Sequence, residues 1–161
     1  MKNTINQLSQ IDKDILRILQ DDGRITYAEL ARQVGLTTTP CIERVRRLER
    51  DGFIKQYTTV INPEQLDAGL IVFVQIRLDR TSKDTFAQFK EAVMGVPEVQ
   101  ECYLVSGSFD YLIKVRLADM TAYRLFLEES LLSIPAVQES TSVVVMEAVK
   151  ETLSVAIPSS S

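Results

Sequence analysis

The chain has 161 residues, 45% hydrophobic and 25% charged, which suits one medium globular domain or two small ones. It contains no histidine, which excludes most metal triads and every nucleophile mechanism that relies on an imidazole base. The formal net charge is −4, but it is unevenly spread: residues 1–62 carry ten Lys plus Arg against eight Asp plus Glu, and residues 63–161 carry eight against fourteen. A mildly basic front half joined to an acidic back half suggests a nucleic-acid reader coupled to a module with another task.

Ile11 to Asp22 reads as a first helix, with Ile11, Ile15, Ile18 and Leu19 at three-four spacing and Gly23 as its stop. Tyr27 to Val34 is a second, short helix whose inner face is Leu30, Ala31 and Val34. Thr26 is its N-cap, and Glu29 completes a capping-box pattern. Gly35 supplies the positive φ that turns the chain sharply. Thr37 can cap a third helix, with Pro40 in its first turn, and Gly52 closes it. Phe53 to Ile61 reads as strand, of the kind found in a wing, and Asn62-Pro63 breaks it.

From Ala68 the rhythm changes. Leu70 to Leu78 is a strong strand, and Lys83 to Met94 is an amphipathic helix through Phe86, Phe89 and Val93. Val99 to Ser106 and Phe109 to Leu117 read as strands joined at Gly107-Ser108. Met120 to Ser133 is helical, and Val137 to Met146 returns to strand. The order β-α-β-β-α-β is the split βαβ, or ferredoxin-like, arrangement. The ending SVAIPSSS is expected to add a short strand before a disordered tail at 158–161. The expected fold is α+β: a helix-turn-helix domain over 8–62, with the motif itself near 27–46, a linker at 63–69 and a ferredoxin-like domain over 70–157.

The third helix divides by face. At about 100° per residue, Ile42, Val45 and Leu48 share a side with Cys41. Glu43, Arg46, Arg47 and Arg50 lie opposite, with Arg44 on the flank. Guanidinium groups in this array suit phosphates and guanine edges. Thr37, Thr38 and Thr39 stand where the helix dipole favours anions, so they are candidates for phosphate or base contacts. Glu43 either accepts from cytosine or pairs with Arg47 along the helix, the second being favoured. The competing reading is a small helical domain whose arginines merely line a solvated face.

In the back half, the stretch Ser106 to Tyr111 has two readings. Gly107 and Asp110 can simply build a hairpin turn. Alternatively, backbone N–H groups around Gly107 and Ser108 hold an amino-acid carboxylate while Asp110 takes the ammonium group. RNA recognition is disfavoured, because the central strands offer one aromatic residue, Tyr111, in place of a stacking surface. A carboxylate enzyme using Asp110 and Glu101 is also disfavoured, since strand alternation sends the two apart; no enzyme is expected. Cys41 and Cys102 lie far apart, so no disulfide, metal or cofactor is expected, and both read as small packing residues. Residues 70–76 are apolar on both strand faces: Leu70, Val72, Val74 and Ile76 on one, Ile71 and Phe73 on the other. Two helices cover only one face of such a sheet, so a second copy of the sheet is the expected cover, giving a homodimer.

The stretches IDKDILRILQDDGRITYAELARQVGL, TPCIERVRRLERDGFIKQYTTVINPEQLDAG and QECYLVSGSFDYLIKVRLADMTAY, with VVVMEAVKE near the end, resemble the Lrp/AsnC family of transcriptional regulators. They cover nearly the whole chain in the family's order. The resemblance implies a winged helix-turn-helix before a ferredoxin-like amino-acid-binding domain that dimerises through its sheet and assembles further, to octamers. It also implies that Gly107 and Asp110 lie at an effector pocket between dimers, with Leu104, Met120 and Val145 at effector-response positions. Thr37-Thr38-Thr39-Pro40 departs from the Ser-Pro-Thr-Pro usual in leucine-type members. The resulting expectation is a cytoplasmic, nucleoid-associated regulator of double-stranded DNA, responsive to leucine or another apolar amino acid. The alternative is an architectural DNA-binding protein without a small-molecule effector. No apolar run reaches the roughly 20 residues that span a bilayer, and the first ten residues lack secretory-signal order.

Overall fold

The computed structural model describes residues 8–79, 84–134 and 136–158. Two compact units are formed: one by the chain up to Val60 together with the segment from Glu151 onward, the other by Ile61 to Lys150.

The first unit holds α1 (Gln10–Asp21), α2 (Tyr27–Gln33) and α3 (Thr38–Arg50). Helix α1 begins with a reciprocal capping box, in which the Ser9 hydroxyl accepts from the Asp12 amide and the Asp12 carboxylate accepts from the Ser9 amide. Thr26 caps α2 through the Glu29 amide, as expected. Gly35 (φ 71°) follows α2, and Gly52 (φ 78°) follows α3. After each, the next amide reaches back to a helix carbonyl: Leu36 N to Ala31 O at 2.8 Å and Phe53 N to Leu48 O at 2.9 Å. Both helices thus end in a Schellman turn that a Cβ-bearing residue would strain. The core of this unit is Ile15, Leu30, Ala31, Cys41, Val45 and Leu48, all buried.

Two expectations for this unit need correction. Residues 54–62 form no strand; the predicted stretch Phe53 to Ile61 is largely exposed, including Tyr57, Val60 and Ile61. Its β-branched composition favours a pleated surface, but strand propensity needs a paired neighbour to act upon. Nor does the segment 151–158 add a strand. The Val155 amide donates to Gln20 Oε1 at 2.8 Å, and Arg17 donates to the Ile157 and Pro158 carbonyls, both at 3.1 Å. Residues 159–161 of the expected tail lie outside the described residues.

The second unit is a four-stranded antiparallel sheet in the order β2-β3-β1-β4, with β1 Leu70–Leu78, β2 Val99–Leu104, β3 Tyr111–Leu117 and β4 Val137–Val144. Helices α4 (Thr85–Met94) and α5 (Met120–Phe126) cover one face. This is the ferredoxin-like arrangement expected from the pattern. Helix α4 begins later than the expected Lys83, which itself lies outside the described residues. Helix α5 gives way to a wider π-type turn over Leu127–Leu131, closed by Leu132 N to Leu127 O at 3.0 Å, instead of continuing to Ser133. The alternate strand residues Val72, Val74, Ile76, Leu78, Ile113 and Val115 meet Phe89, Val93, Tyr123 and Phe126 in the core. Ile71, Phe73, Leu112, Tyr103 and Val143 occupy the opposite face by register, and among the described residues α4 and α5 pack on the other one.

Candidate functional site

Helix α3 presents Thr37, Thr38, Thr39, Glu43, Arg46 and Arg50 to solvent, while Cys41, Val45 and Leu48 are fully buried. Thr37 occupies the N-cap position with extended backbone, yet its side chain makes no capping bond. The cap was expected; the open hydroxyl was not. Arg46 makes no ion pair among the described residues, and Arg50 meets only its exposed neighbour Asp51 at 3.4 Å. Exposed pairs of that kind contribute little to stability, so both guanidinium groups remain available to phosphate.

Arg44 and Arg47 behave differently. Both turn to the buried carboxylate of Asp12: Arg44 Nη1 lies 3.0 Å from Oδ1 and Arg47 Nη2 2.7 Å from Oδ2. Arg44 also donates to the Ser9 hydroxyl at 3.3 Å. The expectation that Arg47 stands outward beside Arg46 is therefore corrected, and the favoured Glu43–Arg47 pair is not formed. The physical reason is burial: an aspartate sealed in the first turn of α1 needs cationic partners, and the nearest are one turn apart on α3. Burial pushes the Asp12 carboxyl up, but the Ser9 hydroxyl and amide, then Arg44 and Arg47, outweigh it and hold it below its ordinary value. Asp12 escaped the sequence reading. Its local signal, Ser9-x-x-Asp12, was present as a capping box, but its arginine partners lie 32 and 35 positions away and carry no local signature.

In the second unit the loop after β2 turns at Gly107 (φ 142°), a conformation that favours glycine although open space surrounds the position. Asp110 is buried, and its Oδ2 accepts from the Leu78 amide at 2.9 Å while its own amide donates to the Ile76 carbonyl at 2.8 Å. Its carboxylate therefore ties the loop to the end of β1. Arg77 adds a second tie, donating to the Ser108 carbonyl at 2.8 and 3.2 Å and pairing with Glu139 at 3.1 Å. Arg77 was not anticipated.

The six expected effector residues do not form one cluster within the chain. Leu104, Gly107, Ser108 and Asp110 gather where β3 begins, Leu104 being paired with Tyr111. Met120 follows the far end of β3, and the Val145 amide bonds the Ile71 carbonyl beside that same end. The two groups are separated by the length of β3, roughly 20 Å at 3.3 Å per residue. Leu104 and Met120 are exposed, so each group presents an apolar side chain outward. Among the described residues there is no His/Cys/Asp/Glu group that could hold a metal, and no helix is long and apolar enough to cross a membrane.

Residues 8–55 match a family model described as winged helix-turn-helix DNA-binding, and residues 71–155 match one described as Lrp/AsnC ligand binding domain. The leucine-responsive regulatory proteins of Escherichia coli K12 and Klebsiella pneumoniae are each 56% identical over 144 residues, spanning 89% of this chain and 88% of theirs. Among solved structures, a Neisseria meningitidis transcriptional regulator in complex with L-Met superposes with a TM-score of 0.89 at 36% identity, over 92% of this chain and 96% of that one. An AsnC family regulator from Agrobacterium tumefaciens gives 0.88 at 36% identity, over 92% and 97%. With both units matched in order, the chain belongs to the Lrp/AsnC family of DNA-binding transcriptional regulators.

Proposed function

We propose that the protein is a sequence-specific regulator whose assembly or DNA affinity responds to leucine or another apolar amino acid. The observation that carries the DNA half is the division of α3, with Cys41, Val45 and Leu48 sealed in the core while Thr38, Thr39, Arg46 and Arg50 face solvent. In this reading the threonines meet base edges or phosphate at the helix N-terminus, and Arg46 and Arg50 meet phosphates. Arg44 and Arg47 hold α3 against α1 through Asp12. An apolar effector is supported by the names of the leucine-responsive relatives and by the L-Met complex of the Neisseria regulator.

The effector site is formed between copies, because one chain keeps Leu104 and the Gly107–Asp110 loop apart from Met120 and Val145. Loop amides around Gly107 and Ser108 receive the effector carboxylate. Asp110 contributes by fixing that loop through its bond to the Leu78 amide and by its negative charge, which favours the ammonium group. Homodimers form through the helix-free sheet face, and dimers associate further, up to an octamer. A cytoplasmic, nucleoid-associated location follows from that task. The reading of an architectural protein without an effector draws support from Asp110 being already engaged on the backbone.

Calorimetry with the full chain against the twenty amino acids separates the two. Heat of binding for leucine, methionine or a similar side chain is expected, at micromolar to millimolar affinity. One charge-assisted contact of about 1.5–3 kcal/mol and one buried side chain of roughly 2 kcal/mol must offset the association cost. No heat from any amino acid would leave the architectural reading standing.

A further inference from the structure

Helix α4 and the edge strand β2 leave between them a groove of about 350 Å³, lined by Lys90, Val93, Met94, Cys102, Leu104 and Tyr111. Its size falls at the lower end of the range for small-molecule sites. The walls are apolar apart from two donors. Lys90 is exposed and makes no ion pair among the described residues. Tyr111 is 1% exposed, its ring tilted against Phe89 with centroids 4.6 Å apart, and its hydroxyl is buried with no hydrogen-bond partner among the described residues. A phenol in that position costs stability that a phenylalanine would not. Burial pushes the neighbouring Cys102 thiol up, and the Lys90 ammonium acts in the opposite direction, so Lys90 lies within electrostatic reach of the groove floor.

A ligand for this groove needs an apolar chain, an anionic group for Lys90 and an acceptor for the Tyr111 hydroxyl. An ammonium group has no place there, since no acidic side chain lines the groove and Lys90 repels it. We propose that the groove binds a small aliphatic 2-oxo acid, with Lys90 Nζ donating to its carboxylate, Tyr111 Oη donating to its keto oxygen, and Val93, Met94 and Leu104 covering the alkyl chain. This second site meets the amino-acid site between copies at Leu104 and is otherwise made of different residues. It lets the regulator read the keto-acid partner of an apolar amino acid as well as the amino acid itself. The class of reaction that interconverts the two is transamination.

The test is calorimetry on the full chain with 4-methyl-2-oxopentanoate, 4-methylpentanoate and leucine, which share one alkyl skeleton. It is paired with alkylation of Cys102, since Cys41 is fully buried. The oxo acid is expected to bind and to slow Cys102 alkylation. Lys90→Gln and Tyr111→Phe are each expected to weaken it by about tenfold, the loss of one charge-assisted or buried hydrogen bond. Both variants should fold, because Lys90 is exposed and the Tyr111 hydroxyl supports no internal bond among the described residues. Any leucine response should be unchanged in both, which separates this site from the one between copies. The proposal is overturned by no binding of the oxo acid at millimolar concentration, or by binding that neither variant changes. It is equally overturned if 4-methylpentanoate binds as tightly and protects Cys102 as well.

Discussion

At the residue scale, the arginines of α3 share a helix but not a task. Arg46 is exposed and unpaired among the described residues, whereas Arg44 and Arg47 are engaged by Asp12. Arg46→Ala should therefore lower the salt dependence of DNA binding by about 0.9 in log–log slope per recognition helix. Arg47→Ala should leave that slope nearly unchanged and lower the melting temperature. Equal slope losses in the two variants would show that Arg47 also reaches phosphate. Asp12→Ala should cost about 3 kcal/mol, because two guanidinium groups lose their shared carboxylate. The pH dependence follows from the sign of the shift. The folded carboxyl titrates below its ordinary value, so its stabilisation is complete above about pH 4 and is lost as pH falls through the folded value. Thermal melts from neutral to acid pH should show a steeper acid loss in the parent chain than in Asp12→Asn. Identical slopes would contradict this role. None of this was legible locally: periodicity places Arg47 on the outer face, and only tertiary packing reveals a buried carboxylate beneath it.

At the scale of elements, helices were the most legible parts. Their caps and glycine stops are local chemistry, and Thr26, Gly35 and Gly52 act where the sequence places them. The ferredoxin-like strands were legible for a similar reason, since β1 is a run of β-branched and other apolar residues and covers the expected Leu70–Leu78. Phe53 to Ile61 was not, because a strand exists only through its pairing and composition cannot supply the partner. The Gly107–Asp110 loop lies between these cases. Its glycine turn was readable, but the bond from the Leu78 amide to Asp110 joins positions 32 apart. Asp110→Ala should abolish the amino-acid response and leave the dimer intact. It should also destabilise the second unit by about 1–3 kcal/mol through the unsatisfied Leu78 amide. Differential scanning calorimetry with and without leucine checks both; an unchanged ligand-induced shift in that variant would remove Asp110 from the effector site.

For the whole molecule, the helix-free sheet face and the divided set of proposed effector residues both fit the proposed assembly from more than one copy. Phe73 and Val143 stand side by side on that face, and two ion pairs lie there, Arg77 with Glu139 and Lys114 with Glu101. A face with an apolar centre and charges largely matched in pairs can meet its own image across a twofold axis. Phe73→Glu should therefore shift sedimentation toward monomer and weaken DNA binding, since one recognition helix makes too few phosphate contacts. A variant that remains dimeric would place the interface elsewhere. A dimer would address half-sites about 34 Å apart, or a multiple of that spacing. Effector and DNA binding are reciprocally linked, so an amino acid that loosens DNA must itself bind less tightly when DNA is present. The most direct test of the account is selection of bound DNA fragments by the full chain, with and without leucine and methionine. The account predicts recovery of a shared, twofold-related motif whose occupancy changes with at least one of the two. Recovery without sequence preference, or with occupancy indifferent to both, would contradict it.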